Sequence, residues 1–271
     1  METAVSSIIY GPVPSWRLGR SLGVDLLPAG GKTCSFDCIY CQLGRTARRL
    51  TQRAAFVPLD IVRRELERVR GVAADYVTFA GMGEPTLASN LGEAIRLARA
   101  ILGLPVAVLT NSSLMAREDV RRDLACADIV VASLDAPNEQ LFRRINRPAV
   151  NYSLEEVVYA IELFEAEYRG VLALEMMFVK ANKGLAAEMA AIAREIAPDE
   201  VQINTPLRPC AVAPLTANEI AAIREEFAGL PVRSVYEAAR PAVAPLDVGE
   251  TLRRRPAANA PGLVPPRPRK E

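Results

Sequence analysis

The chain has 271 residues, half of them apolar, with a formal net charge of +1 and no histidine. That length suits one large α/β domain or two small ones, and the near-zero charge excludes a global field drawing the chain to nucleic acid or to an anionic membrane. Without imidazole, the commonest general base and the commonest zinc and copper ligand are excluded too.

Residues 1–20 read as an N-terminal extension. Tyr10, Trp16, Arg17 and Arg20 stand in it as candidates to close the bottom of a barrel or to touch substrate. The N-terminus shows no basic region followed by an apolar one, and the five cysteines are an odd number. Both argue against a secreted disulfide framework and for a reducing cytoplasm. From residue 21 to about 230, apolar runs alternate with amphipathic stretches. The runs Leu22–Leu27, Tyr76–Phe79, Pro105–Thr110, Ile129–Ser133, Val171–Val179 and Glu200–Ile203 predict strands. Helices are predicted between them. Pro58–Arg70 carries Val62, Leu66 and Val69 on one face. Ser153–Tyr168 opens with Ser153 and Glu156 at capping-box spacing and repeats Leu154, Val157, Ile161 and Phe164. Leu185–Ile196 and Thr216–Phe227 follow the same pattern. The apolar stretch Leu102–Met115 is too short to span a membrane and is interrupted by Pro105, Thr110, Asn111 and Ser112. Strand and helix in alternation predict βαβ units on a parallel sheet, either an incomplete barrel or a doubly wound sheet, with the working face at the C-terminal strand edge. Residues 231–271 hold many of the prolines with Arg253, Arg254, Arg255, Arg267, Arg269 and Lys270. This composition reads as an irregular, solvated basic tail, with contact to a polyanion as the alternative.

The chemistry begins after the first predicted strand. Cys34, Cys38 and Cys41 have the spacing C-x3-C-x2-C, and three thiolates on one short loop can hold three irons of a four-iron cluster, leaving the fourth iron open. The competing reading is a structural zinc site, which needs a fourth ligand from Cys126, Cys210 or a carboxylate. Cys126 precedes a strand and is badly placed; Cys210 follows one. Polar residues then recur after successive strands: Gly81-Met82-Gly83-Glu84-Pro85-Thr86, Asn111-Ser112-Ser113, Ser133-Leu134-Asp135, and Gln202-Ile203-Asn204. Two glycines permit close backbone approach, and Glu84 adds an acceptor. Arg45, Arg48, Arg49 and Arg53 form a basic cluster after the cysteines, read as a solvated face or as contacts to a phosphate-bearing substrate.

The cysteine loop, with Tyr40 before its last cysteine, resembles that of the radical S-adenosylmethionine (SAM) superfamily, and Gly81–Thr86 is similar to that superfamily's glycine–glutamate motif. Gly11–Ser15, Leu18–Gly23, the cysteine loop with Gln42–Thr46, Ser133–Ala136 and Asn204–Arg208 resemble a group of iron–sulfur oxidoreductases related to the tRNA wyosine-base synthases. The resemblance covers roughly residues 8–230. It implies a partial (β/α)6 TIM-like barrel of parallel strands over residues 21–230, followed by a short irregular C-terminal tail. It implies a [4Fe-4S] cluster on Cys34, Cys38 and Cys41, with SAM chelated at the open iron. One electron from an external ferredoxin- or flavodoxin-like donor would cleave SAM to a 5′-deoxyadenosyl radical that abstracts hydrogen from a substrate: tRNA, protein or small molecule. By position, Tyr40 would lie near the adenine. Gly81, Gly83 and Glu84 would meet the methionine amino group. Asn111 with Ser112 or Ser113 would meet the carboxylate or ribose, and Ser133 and Asp135 the ribose. Gln202 and Asn204 would line the adenine side or the substrate, with Glu175 and Lys180 as further candidates. Relatives that modify tRNA carry a second set of cysteines, and none precedes Cys34 here. A non-catalytic iron–sulfur or zinc module is the alternative from another class.

Overall fold

The structure, a computed structural model, describes residues 7–256 apart from 29 and 150. Its frame is one eight-stranded sheet, built from β1 (Ile9–Ser15), β2 (Gly19–Val24), β5 (Tyr76–Phe79), β6 (Val106–Thr110), β7 (Ile129–Ser133), β8 (Val171–Met177), β9 (Glu200–Asn204) and β10 (Val232–Ser234), in that spatial order. Strands β3 (Thr33–Cys34) and β4 (Arg48–Arg49) form a separate parallel pair around the cysteine loop. In the large sheet β1 and β2 are antiparallel and every other pairing is parallel. The sheet ends at β1 and β10 without pairing them, so the architecture is an incomplete, mostly parallel barrel.

The helices α1 (Leu59–Arg68), α2 (Leu91–Leu102), α3 (Glu118–Leu124), α4 (Glu139–Ile145), α5 (Leu154–Glu167), α6 (Ala186–Ile196) and α7 (Ala217–Glu226) connect successive parallel strands. Strands covered on one face by helices and lining an interior on the other have no solvent face. They therefore read as continuous apolar runs, as Val106, Ala107 and Val108 or Val130, Val131 and Ala132 do, all fully buried. The stripe Leu154, Val157, Ile161, Phe164 of α5 is buried, and its start is fixed by the predicted capping box: Glu156 N donates to Ser153 Oγ (3.2 Å) and Ser153 N to Glu156 Oε2 (2.7 Å). Thr216 and Glu219 repeat the device at α7.

Two segments extend the predicted barrel. Ile9–Ser15, inside the expected N-terminal extension, is an edge strand. Its Pro12 and Pro14 hide it from pattern reading, yet an edge is where prolines are tolerated. Within the segment expected to be an irregular tail, Val232–Ser234 adds a strand beside β9, and Val248–Arg254 forms α8. The stretch between those two is irregular. Arg267, Arg269 and Lys270 lie outside the described residues.

Helix α8 packs on β1: Gly11 N donates to Thr251 Oγ1 (2.9 Å) and Leu246 N to Gly11 O (2.6 Å). The seam between the sheet's ends is crossed by the β1–β2 turn, where Arg233 Nη1 of β10 donates to Arg17 O (3.3 Å). No helix among the described residues is long and apolar enough to cross a membrane.

Candidate active site

The cysteine loop is held on two sides, by the C-terminal edge of the sheet and by α4. Thr33 N donates to Met82 O (2.8 Å) and Glu84 N to Thr33 O (3.2 Å), which lays β3 along the Gly81–Glu84 segment after β5. A Cβ on Gly83 would stand 1.6 Å from Thr33 O, and one on Gly81 would stand 2.3 Å from the Asp25 carboxyl carbon. Gly83 therefore lets the loop seat on the strand end, and Gly81 makes room for the Asp25 carboxylate. On its other side the loop is held by α4, with Asp37 N bonded to Asn146 O (3.0 Å) and Ile39 N to Ile145 O (2.9 Å). Phe36 packs edge-to-face on Phe142 at 5.5 Å.

Cys34, Cys38 and Cys41 then line one cavity of about 340 Å³ at this strand edge, a size in the range of small-molecule sites. Their sulfurs are met by N–H donors: Phe36 N (3.4 Å) and Asn111 Nδ2 (3.4 Å) reach Cys34, and Asn146 Nδ2 (3.5 Å) reaches Cys38. Burial pushes the Cys34 thiol up to about 11 and the Cys38 thiol further. Thiols so placed are poor nucleophiles and ionise when a metal takes their charge. Lys32 is buried beside them. Desolvation opposes its charge, yet Cys41, Cys34 and Cys38 together hold its pKa above the ordinary value. Sulfurs only, N–H groups directed at them and one buried cation are the surroundings an iron–sulfur cluster asks for. Cys126 Sγ instead faces Arg96 Nη1 (2.9 Å), Cys210 Sγ faces Val212 O (3.1 Å), and neither lines the cavity. The residues present thus suit the cluster better than zinc.

Of the other predicted site residues, Tyr40, Gly81, Gly83, Glu84, Asn111, Ser133 and Asn204 line the same cavity. Glu84, 1 % exposed, accepts from Thr86 N (3.0 Å), Thr86 Oγ1 (2.7 Å), Thr110 Oγ1 (2.7 Å) and Asn111 N (2.7 Å). Burial still raises its pKa against those donors.

Ser112, Asp135 and Gln202 stand behind the wall. Ser112 Oγ donates to Ser133 O (3.0 Å), and Ser113 pairs with Ser35 (2.5 Å). Gln202 accepts from Arg17 Nε (2.7 Å). Asp135 accepts from the Tyr40 hydroxyl, from Asn146 Nδ2 (2.6 Å) and from Met177 N (3.0 Å), while burial pushes its pKa up to about 6. In this arrangement Asp135 holds the Tyr40 ring at the cavity. Glu175 lines the cavity, paired with Arg17 and accepting from Asn204 Nδ2 (2.6 Å), whereas Lys180 is exposed outside it.

Tyr10, Trp16 and Arg17, candidates to close the barrel or to touch substrate, reach the cavity from the β1–β2 hairpin, and Arg208, Arg240, Arg254 and Arg255 reach it from the segments after β9 and β10. Lys32, not singled out in the sequence, is buried and lines the cavity as well. Arg53, grouped with a solvated face, is a structural tie: its side chain is 5 % exposed and bridges Asp119 (2.8 Å) and Asp123.

A sequence model of the Radical SAM superfamily matches residues 30–184. The chain is 39% identical over 210 residues to the UPF0026 protein MJ1312 of Methanocaldococcus jannaschii, a match covering 75% of this chain and 64% of that protein, somewhat less than two thirds of it. To the UPF0026 protein slr1464 of Synechocystis sp. it is 39% identical over 206 residues, covering 74% and 76%. A solved structure described as TYW1 with a lysine-pyruvate adduct bound superposes with a TM-score of 0.61 over 77% of this chain and 72% of that one. At 16% identity, that last likeness speaks to the fold alone.

Proposed function

The chain is an enzyme of the radical SAM superfamily, and on that premise we propose that Cys34, Cys38 and Cys41 bind a [4Fe-4S] cluster whose open iron takes SAM. When bound, the cluster and SAM would supply one-electron reductive cleavage of the sulfonium and, through it, hydrogen abstraction from a substrate.

The chain's own residues prepare the site. Lys32 offsets the charge gathered on the three sulfurs, while Phe36 N, Asn111 and Asn146 donate toward them. Such contacts stabilise added electron density and tune the cluster's potential. Glu84, with four donors already fixed, offers its carboxylate to a cationic ammonium, and Asn111 and Ser133 offer polar contacts beside it. Tyr40, held by Asp135, presents its ring to the nucleoside. The electron comes from an external one-electron carrier of the ferredoxin or flavodoxin type.

The observation that carries this reading is that three cysteines of one loop and the Glu84–Asn111 edge of the sheet face a single cavity. Anaerobic reconstitution with iron and sulfide tests it. Wild type should gain the visible absorption of an iron–sulfur cluster and, once reduced, a paramagnetic resonance signal that SAM perturbs. Cys34→Ala, Cys38→Ala and Cys41→Ala should each lose the cluster, while Cys126→Ala and Cys210→Ala keep it. Loss of metal on replacing Cys210 would favour a four-cysteine zinc site instead.

A further inference from the structure

Three arginines with buried side chains are matched with carboxylates. Arg53 has Asp119 and Asp123, Arg17 has Glu175, and Arg254 has Asp25 and Glu250. Three arginines that line the cavity, the part-buried Arg208 and Arg255 and the exposed Arg240, are not so matched: among the described residues Arg208 and Arg240 meet no carboxylate, and Arg255 meets the hydroxyl of Tyr10, with Glu175 at longer range. The three come from different elements: the loop after β9, the segment after β10 and the end of α8. They are gathered where the sheet's two ends fail to pair.

Bringing guanidinium groups together in a partly dry cleft is unfavourable unless an anion answers them. The conflict is visible at Arg208, whose pKa is lowered to about 9 by burial, then by Arg255, Arg17 and Arg240. Planar guanidinium forks match carboxylate and phosphate oxygens in bidentate fashion.

We infer that the substrate carries an oxyanion, a phosphate or a carboxylate, which Arg208, Arg240 and Arg255 seat at the seam of the barrel. The inference rests on the radical SAM reading, because it takes the cavity to be a substrate site and assigns SAM to the Glu84–Asn111 edge. It narrows the substrate to an anionic class that a net charge of +1 does not reveal.

Trp16 supplies the probe. It is the chain's single tryptophan, lines the cavity and lies under the Arg17 guanidinium at 4.3 Å. Full-length protein is titrated with inorganic phosphate and, separately, with acetate, at ionic strength matched with chloride, while Trp16 fluorescence is recorded. A saturable change with either anion supports the inference, and the better anion identifies the group. Arg208→Gln and the more exposed Arg240→Gln should each weaken binding roughly tenfold or more. Arg122→Gln on α3 should titrate as wild type. No response beyond chloride, or equal affinity in both cavity variants, overturns the inference. The phosphate titration is repeated calorimetrically on reconstituted, SAM-saturated protein. Persistent binding supports a substrate anion; abolition by SAM would assign the arginines to SAM's own carboxylate and overturn it. SAM binding in that same preparation is the separate check on the enzyme reading.

Discussion

Gly83 shows how a motif glycine that lines a cavity can also permit close approach of another backbone segment. The sequence suggests a backbone opened for a ligand. In the structure the approach is to Thr33 O, one residue before the first cysteine, where a Cβ would sit at 1.6 Å. Gly83→Ala must therefore push β3 off the strand end, at about 1–3 kcal/mol for an overpacked site. It should also lose iron on reconstitution. Gly44, at a positive φ with open space around its Cβ position, is the contrast. Gly44→Ala costs about 1–2 kcal/mol of backbone strain and keeps the cluster. Urea unfolding and iron content read both variants, and a Gly83→Ala protein with normal iron content would contradict the account. The three cysteines were legible as neighbours because they share one short loop, and they do line one cavity. Asp135 was legible as a polar residue at a strand end but not in its place. Its partner, the Tyr40 hydroxyl, is 95 residues away in sequence, and local pattern does not reveal a long-range acceptor. Lys32 was missed because lysine is so usually a surface residue.

At the scale of elements, the parallel strands and amphipathic helices were readable because each follows one period and has one buried face. Segments held by tertiary contact were not. The clearest is α8: its proline-rich, basic surroundings resemble a solvated tail, yet Asp247 caps it, with Glu250 N donating to Asp247 Oδ1 at 2.8 Å. Arg254 then anchors it in the core. The Arg254 side chain is 3 % exposed and donates to Asp25 Oδ2 (2.8 Å) and Ser7 O (2.7 Å), while Asp25 also accepts from Met82 N (3.2 Å) beside the glycine motif. This buried pair connects the C-terminal helix to the edge that carries the cysteines. Removing one partner strands the other charge, so Arg254→Ala should lose about 3–5 kcal/mol in urea unfolding. The double replacement Asp25→Asn with Arg254→Met should regain most of that, because no charge is then left buried alone. Wild-type stability in Arg254→Ala would show that α8 is not fastened this way.

Over the whole molecule, an incomplete barrel leaves a seam, and the chain closes it with polar groups instead of a strand pair. Arg17 reaches across to Glu175 and Gln202, Arg233 reaches back to Arg17 O, and α8 covers β1. The cavity so enclosed has sulfurs and Lys32 on one part of its wall and unmatched arginines on another. Neither composition nor net charge reveals that partition, since both sum over the whole surface.

The central claim is that this cavity cleaves SAM at a cluster on three cysteines. It is tested most directly by supplying anaerobically reconstituted protein with SAM and a one-electron reductant and measuring 5′-deoxyadenosine. Wild type should form 5′-deoxyadenosine and methionine, and Cys34→Ala, Cys38→Ala and Cys41→Ala neither. A cluster-loaded wild-type protein that forms no 5′-deoxyadenosine, or cysteine variants that form as much, would contradict it.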